Sequence, residues 1–189
     1  MTDTIEARIE ESLEKSADEL AEDMPALLEE VDGQVRALVE QNPGLFGRLV
    51  GRMEDIDIAA FVSENPQTAD QFQDLLWTGM EVLVENSPDV REEITQDITV
   101  NFEATDAPMT GHLEVDGSAQ TVTGGAGHLE DPTLEITGPA DNLVGLMTGT
   151  VDPVQGFMSQ QYELDGPVQT GTQLAPVMSN LSENIPTGA

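Results

Sequence analysis

The side chains able to do chemistry are few in this chain, and their spacing argues against most chemistries. His112 and His128 are the only histidines. As acid/base groups or metal ligands they lack a second His or a Cys at ligand spacing, and both sit among ordinary strand or turn residues, so they read as structural or surface groups. The chain has no cysteine, which removes disulfides, thiolate nucleophiles and zinc–thiolate centres. No serine lies in a Gly-x-Ser-x-Gly elbow. The run Gly124-Gly125-Ala126-Gly127 lacks the spacing and the Lys of a phosphate loop and reads as a flexible link. With 37 Asp and Glu, proximity in sequence singles out no carboxylate pair, and a solvated acidic surface explains them. No catalytic residue, metal ligand or cofactor is expected. Nucleic acid is excluded as a partner, because no Lys or Arg follows Arg91 and such binding needs cations to displace counterions.

What remains is apolar surface, concentrated between Pro132 and Gly166. Thr133 to Thr137 alternate polar and apolar over β-favouring types, the pattern of a half-buried strand that Gly138 and Pro139 end. Leu143, Leu146 and Met147 share one face of a helix that Gly149 closes. Asp152 and Pro153 restart a helix as cap and first residue. Val154, Phe157 and Met158 continue the apolar face, and a strand with Tyr162 and Leu164 runs to Gly166.

The order of these motifs, L-M-T-G followed by D-P-x-x-x-F-M and a strand closed by Gly, resembles the sterol carrier protein type 2 family of small lipid-binding domains. The resemblance reaches back to a meander from Ile98 to Val122 and forward to a helix ending near Leu181. It implies a tunnel between sheet and helices that holds an aliphatic chain. Phe102, Leu143, Leu146, Met147, Phe157 and Met158 are its implied lining on the strand and first helices. Leu174, Val177, Met178 and Leu181 are its implied lining on the last helix, which is expected to act as a movable lid. Methionine suits such a wall because its unbranched thioether adapts to ligand shape. Gln160, Gln161 and Tyr162 are placed at the tunnel mouth. Family members usually carry lysines around the last strand; here Gln160, Gln161, Glu163 and Asp165 stand there, so cations at that edge are no part of this protein's mechanism.

The elements that position this wall are also legible. Ile5, Ile9, Leu13, Ala17 and Leu20 recur at helical spacing, Asp23 with Pro25 is read as a break, and the stripe resumes through Leu27, Val31, Val35 and Val39. Asn42-Pro43, Asn65-Pro66 and Ser87-Pro88 mark three further helix starts. The helix over Ala69 to Glu85 is expected to pack on the sheet. Residues 1–66 then form an all-α N-terminal extension and residues 67–189 a lipid-binding domain. The fold class is α+β, with a five-stranded, mainly antiparallel curved sheet covered by helices.

Composition sets the medium. A formal net charge of -31 with 38% hydrophobic residues describes a folded protein with an acidic surface, not a disordered chain. Five of the six basic residues are Arg and only Lys15 is Lys, which fits an extreme halophile. The N-terminal sequence reads as neither signal peptide nor membrane anchor, no segment is apolar enough to span a bilayer, and Thr187-Gly188-Ala189 is not a peroxisomal address. A cytoplasmic protein is expected. The reading is a non-catalytic carrier of an isoprenoid or acyl lipid. Its rival is an accessory scaffold of a lipid- or quinone-synthesis assembly, with the N-terminal helices meeting partner enzymes or a second copy of the chain and Leu20 to Val39 as the partner helix. Molar salt shrinks the Debye length to about 3 Å and screens the self-repulsion. The melting temperature should therefore rise between dilute buffer and molar KCl; a flat or falling value in a thermal scan removes the halophile reading.

Overall fold

Prolines and short polar side chains decide where the helices begin. In the computed structural model, which describes residues 2–185, the N-terminal half comprises α1 (Thr2–Leu13), α2 (Ala17–Val31), α3 (Val35–Gln41), α4 (Pro43–Met53), α5 (Ile58–Glu64), α6 (Pro66–Glu85) and α7 (Pro88–Glu93). The tripeptide Thr187-Gly188-Ala189 lies outside the described residues. Ser16 caps α2 in a reciprocal box with Glu19. Asn42 Oδ1 accepts the Leu45 N–H at 3.2 Å ahead of Pro43. At α6 and α7 the helix also starts at the proline, yet neither Asn65 nor Ser87 caps with its side chain. The fixed φ of proline at the first helical position suffices there.

Pro25 does not break the helix as the sequence suggests; it lies inside α2. An interior proline costs on the order of 3 kcal/mol. Leu20, Met24, Leu27, Leu28 and Val31 are all buried on one stripe across it, at roughly 1.5–3 kcal/mol each, so burial wins. The interruption comes later, where Gly33 adopts φ +76° between α2 and α3. The stripe from Leu20 to Val39 is thus two helices, and it is buried within its own chain.

Four of the six cations of the chain tie these helices together. Arg8 of α1 forks onto Asp23 of α2, with Nη2 to Oδ1 at 2.7 Å and Nη1 to Oδ2 at 2.8 Å. Ser12 Oγ donates to Asp23 at 2.6 Å and Lys15 Nζ reaches it at 2.9 Å. Arg52 of α4 donates to the Lys15 carbonyl at 2.6 Å and pairs with Asp55. Arg36 bridges α3 to Glu81 and Glu85 of α6.

The sheet holds β1 (Ile98–Ala104), β2 (Thr110–Asp116), β3 (Thr121–Ala126), β4 (Leu134–Gly138) and β5 (Glu163–Asp165), in spatial order β3-β2-β1-β4-β5. β1 and β4 are parallel and the other neighbours antiparallel. The α+β, mainly antiparallel five-stranded expectation holds. Between β4 and β5 lie α8 (Ala140–Thr148) and α9 (Pro153–Met158), and α10 (Val168–Glu183) follows β5. Gly149, at φ +93°, closes α8 in the left-handed conformation expected of it.

Two glycines of the run Gly124 to Gly127 lie in β3, contrary to the flexible link read from the sequence. The reason is α6. A Cβ on Gly124 would stand 2.6 Å from Trp77 Cγ, so the missing side chain lets the indole lie against the strand. Gly111 of β2 likewise makes room for Gln73, whose Nε2 donates to the Thr110 carbonyl at 3.0 Å. On its other side α6 receives Phe46 of α4 against Gly79, where any Cβ would collide with the ring. One apolar cluster therefore runs continuously from α1 to α10. Among the described residues no helix is long and apolar enough to cross a membrane.

Asp23 is held well below the usual carboxylate range, chiefly by its hydrogen bonds from Arg8, then by those from Ser12 and Lys15, with burial opposing. Because the folded value is the lower one, this stabilisation is complete above the unfolded value near 4 and is lost as pH falls below it. Asp23→Asn should cost roughly 2 kcal/mol at neutral pH and flatten the loss of stability below about pH 4. Denaturant melts at a series of pH values check both signs.

Candidate functional site

The cover over the β4–β5 edge is thin, and this leaves a cavity. α9 has six residues, of which Gly156 alone is buried. Gly156 lies under the Tyr162 ring, where a Cβ would come within 2.9 Å of Cε1. With the helix resting on its glycine, its larger apolar side chains do not reach the core. A cavity of about 490 Å³ opens between this edge and the helices. Its floor is Ile136 of β4 and Leu164 of β5, and Leu146 of α8 closes one end. Ile136 and Leu164 continue a rung of the sheet that begins at Phe102. Pro153, Val154 and Phe157 of α9 form one wall. α10 forms the other with Leu174 and Met178, joined by the small residues Gly171, Thr172, Ala175 and Ser179.

Of the side chains expected to line a tunnel, Leu146, Phe157, Leu174 and Met178 meet at this cavity. Phe102, Leu143, Met147, Val177 and Leu181 are buried in the surrounding core. Met158 lies on the outside, 77% exposed, beside a furrow that also holds Glu135, Gln160, Glu163 and Asp165. α9 seats itself on Gly156, and about 100° further round for each residue Phe157 stands at the cavity and Met158 turns to solvent. The small-residue wall of α10 escaped the sequence reading. Its signal is present, since Val168, Gly171, Ala175 and Ser179 recur every three or four residues beside the larger stripe.

Tyr162 is the polar hinge of the site. Its hydroxyl donates to the Pro153 carbonyl, and its ring stands 6.3 Å from that of Phe157 at a tilt of 45°. Burial, and secondarily Asp152, raises its pKa, so the phenol stays protonated as a donor. Asp152 Oδ1 caps α9 by accepting from Val154 and Gln155 at 2.9 and 2.8 Å. The Gln161 N–H donates to the Gly156 carbonyl at 2.9 Å, and Gln160 turns the chain at φ +57°. Around the opening Val154, Phe157, Met158 and Val168 are between 46% and 77% exposed.

The histidines lie away from this cavity. His112 Nδ1 is 3.1 Å from the Gly127 carbonyl and His128 Nε2 is 3.1 Å from the Phe102 carbonyl, each an N–H satisfying main chain. Among the described residues no three His, Asp or Glu side chains converge to hold a metal ion.

Residues 95–179 match the model of the SCP-2 sterol transfer family. No curated protein matches the chain. Among solved structures, a crystal structure of sterol carrier protein 2 is 13% identical at a TM-score of 0.49, covering 62% of this chain and 98% of its own. A ubiquinone synthesis protein, UbiJ-SCP2, is 15% identical at a TM-score of 0.45, with 62% and 98% covered. The stereoselective inverting sec-alkylsulfatase Pisa1 from Pseudomonas sp. is 13% identical at a TM-score of 0.42; the match covers 93% of this chain and 31% of the enzyme.

Removing the Tyr162 hydroxyl should release α9 while leaving the sheet intact. Tyr162→Phe is expected to cost about 1 kcal/mol. It should also speed amide exchange across Gly156 to Gln161, with no change in β1 to β3, as hydrogen-exchange mass spectrometry would resolve.

Proposed function

With residues 95–179 forming a domain of the SCP-2 sterol transfer type, we propose that the protein is a non-catalytic intracellular carrier that holds an isoprenoid or acyl lipid in the cavity under α9 and α10. The observation that carries this reading is an uncharged cavity of about 490 Å³ whose rim exposes apolar side chains to solvent. Its size falls within the range of ligand pockets, roughly 300–1,000 Å³. Burying about 400 Å² of lipid chain at roughly 25 cal/mol/Å² yields on the order of 10 kcal/mol gross, of which lost rigid-body and chain freedom takes a large share. Micromolar affinity follows without any ionic contact. The lipid-binding unit is residues 67–189, residues 1–66 are its extension, and α9 with the first turn of α10 is the part that moves to admit cargo. An isoprenoid quinone, polyprenyl or carotenoid suits an archaeal setting.

A second reading, an accessory module of a lipid- or quinone-synthesis assembly, draws on the same rim. Val154, Phe157, Met158 and Val168 are surface that a partner enzyme could cover while receiving the cargo.

The test is to purify the protein in molar KCl from a halophilic host and to extract whatever copurifies, alongside a variant that fills the cavity. Ala175→Phe should lower bound lipid by at least about tenfold, some 1.4 kcal/mol, with circular dichroism unchanged. A stoichiometric isoprenoid or acyl species in the wild type establishes the carrier and names the cargo. Equal lipid in both proteins moves the site elsewhere, and an empty wild type that captures a synthesis enzyme favours the module.

A further inference from the structure

We infer that the cavity selects uncharged lipids and rejects the same chains when they carry an anionic end group. The inference rests on the carrier reading and adds the class of cargo. Every Lys and Arg of the chain lies at or before Arg91, and no residue lining the cavity carries a charge. An anion drawn under α9 would find no cation to pair with.

Hydrogen-bond donors are scarce as well. Three hydroxyls line the cavity, those of Tyr162, Thr172 and Ser179. Tyr162 already donates to the Pro153 carbonyl, and Thr172 Oγ1 donates to the Val168 carbonyl at 3.0 Å. Both therefore turn lone pairs to a ligand, and of the three only the Ser179 hydroxyl keeps its proton for one, a single neutral donor. Pro176, inside α10, has no N–H to give the Thr172 carbonyl, so it adds no donor to the lining either. Acceptors suit an alcohol or an apolar end and oppose a carboxylate or phosphate. Outside, the furrow that shares Phe157, Tyr162 and Leu164 with the cavity is edged by Glu135, Glu163 and Asp165.

Two costs therefore fall on an anionic lipid, and salt separates them. Repulsion by the three exposed carboxylates fades as the Debye length falls to about 3 Å in molar salt. The cost of taking an unpaired anion out of water does not fade. Discrimination should persist in the high salt that suits this surface.

The experiment measures binding of hexadecanol, palmitate and hexadecyl phosphate to the full chain in molar KCl by fluorescence displacement. Hexadecanol should bind at least about tenfold more tightly than hexadecyl phosphate, a difference of some 1.4 kcal/mol, with palmitate also weaker than the alcohol. In the double variant Glu163→Lys, Asp165→Lys the ratio of alcohol to phosphate affinity should stay nearly unchanged in molar KCl and fall when the binding is repeated at about tenfold lower salt, where the exposed charges are no longer screened. Equal affinities in the wild type overturn the selectivity and leave the carrier standing. If none of the three probes binds and no lipid copurifies, the carrier reading falls and this inference with it.

Discussion

α6 must be buried on two sides, and the rest of the molecule is arranged to do so. Eleven of its twenty residues are buried, and what is left for water is a narrow strip through Asp70, Asp74, Thr78, Glu81 and Glu85. A helix this apolar has no stable place on a surface. The sheet takes one side, with Trp77 on Gly124 and Gln73 over Gly111, and the N-terminal helices take the other, with Phe46 on Gly79. The helical region is thus the second wall that α6 requires.

This constraint explains what the sequence could and could not reveal. Strand alternation around Ile136, the helix closed by Gly149 and the restart at Asp152-Pro153 were legible because each is a local signal with a local cause. Gly124 and Gly125 were misread as a link because their reason for being glycine, the approach of α6, comes from residues some fifty positions earlier. Pro25 was misread as a break because propensity is local while the burial that outweighs it is not. The cavity was half legible. Large apolar side chains announced the wall, but those best suited to a core, such as Leu143 and Met147, are in the core. The open space is shaped by Gly171 and Ala175, whose contribution is the volume they do not fill, and by Gly156, which lets α9 rest on Tyr162.

Charge is distributed with a similar economy. Three of the arginines join separate segments of the helical region, Arg8 on Asp23, Arg52 on the Lys15 carbonyl and Arg36 on α6. The sheet and its cavity are left to carboxylates and apolar groups. The ion pairs therefore hold the N-terminal helices together, while the α9–α10 region relies on the Asp152 cap, the Tyr162 hydroxyl and partial burial.

The parallel pairing of β1 with β4 bears on the order of assembly. Phe102 and Ile136 become neighbours only after the chain has run out through β2 and β3 and returned, so this rung carries a larger loop-closure cost than the hairpins beside it. The β1–β2 and β2–β3 hairpins can form before it, whereas the docking of α6 on β3, Trp77 on Gly124, closes a longer stretch of chain than this rung does. β5 has three residues and pairs on one side only, and α9 buries Gly156 alone, so this end of the molecule can open sub-globally at less cost than the Trp77 face, where α6 is held on two sides.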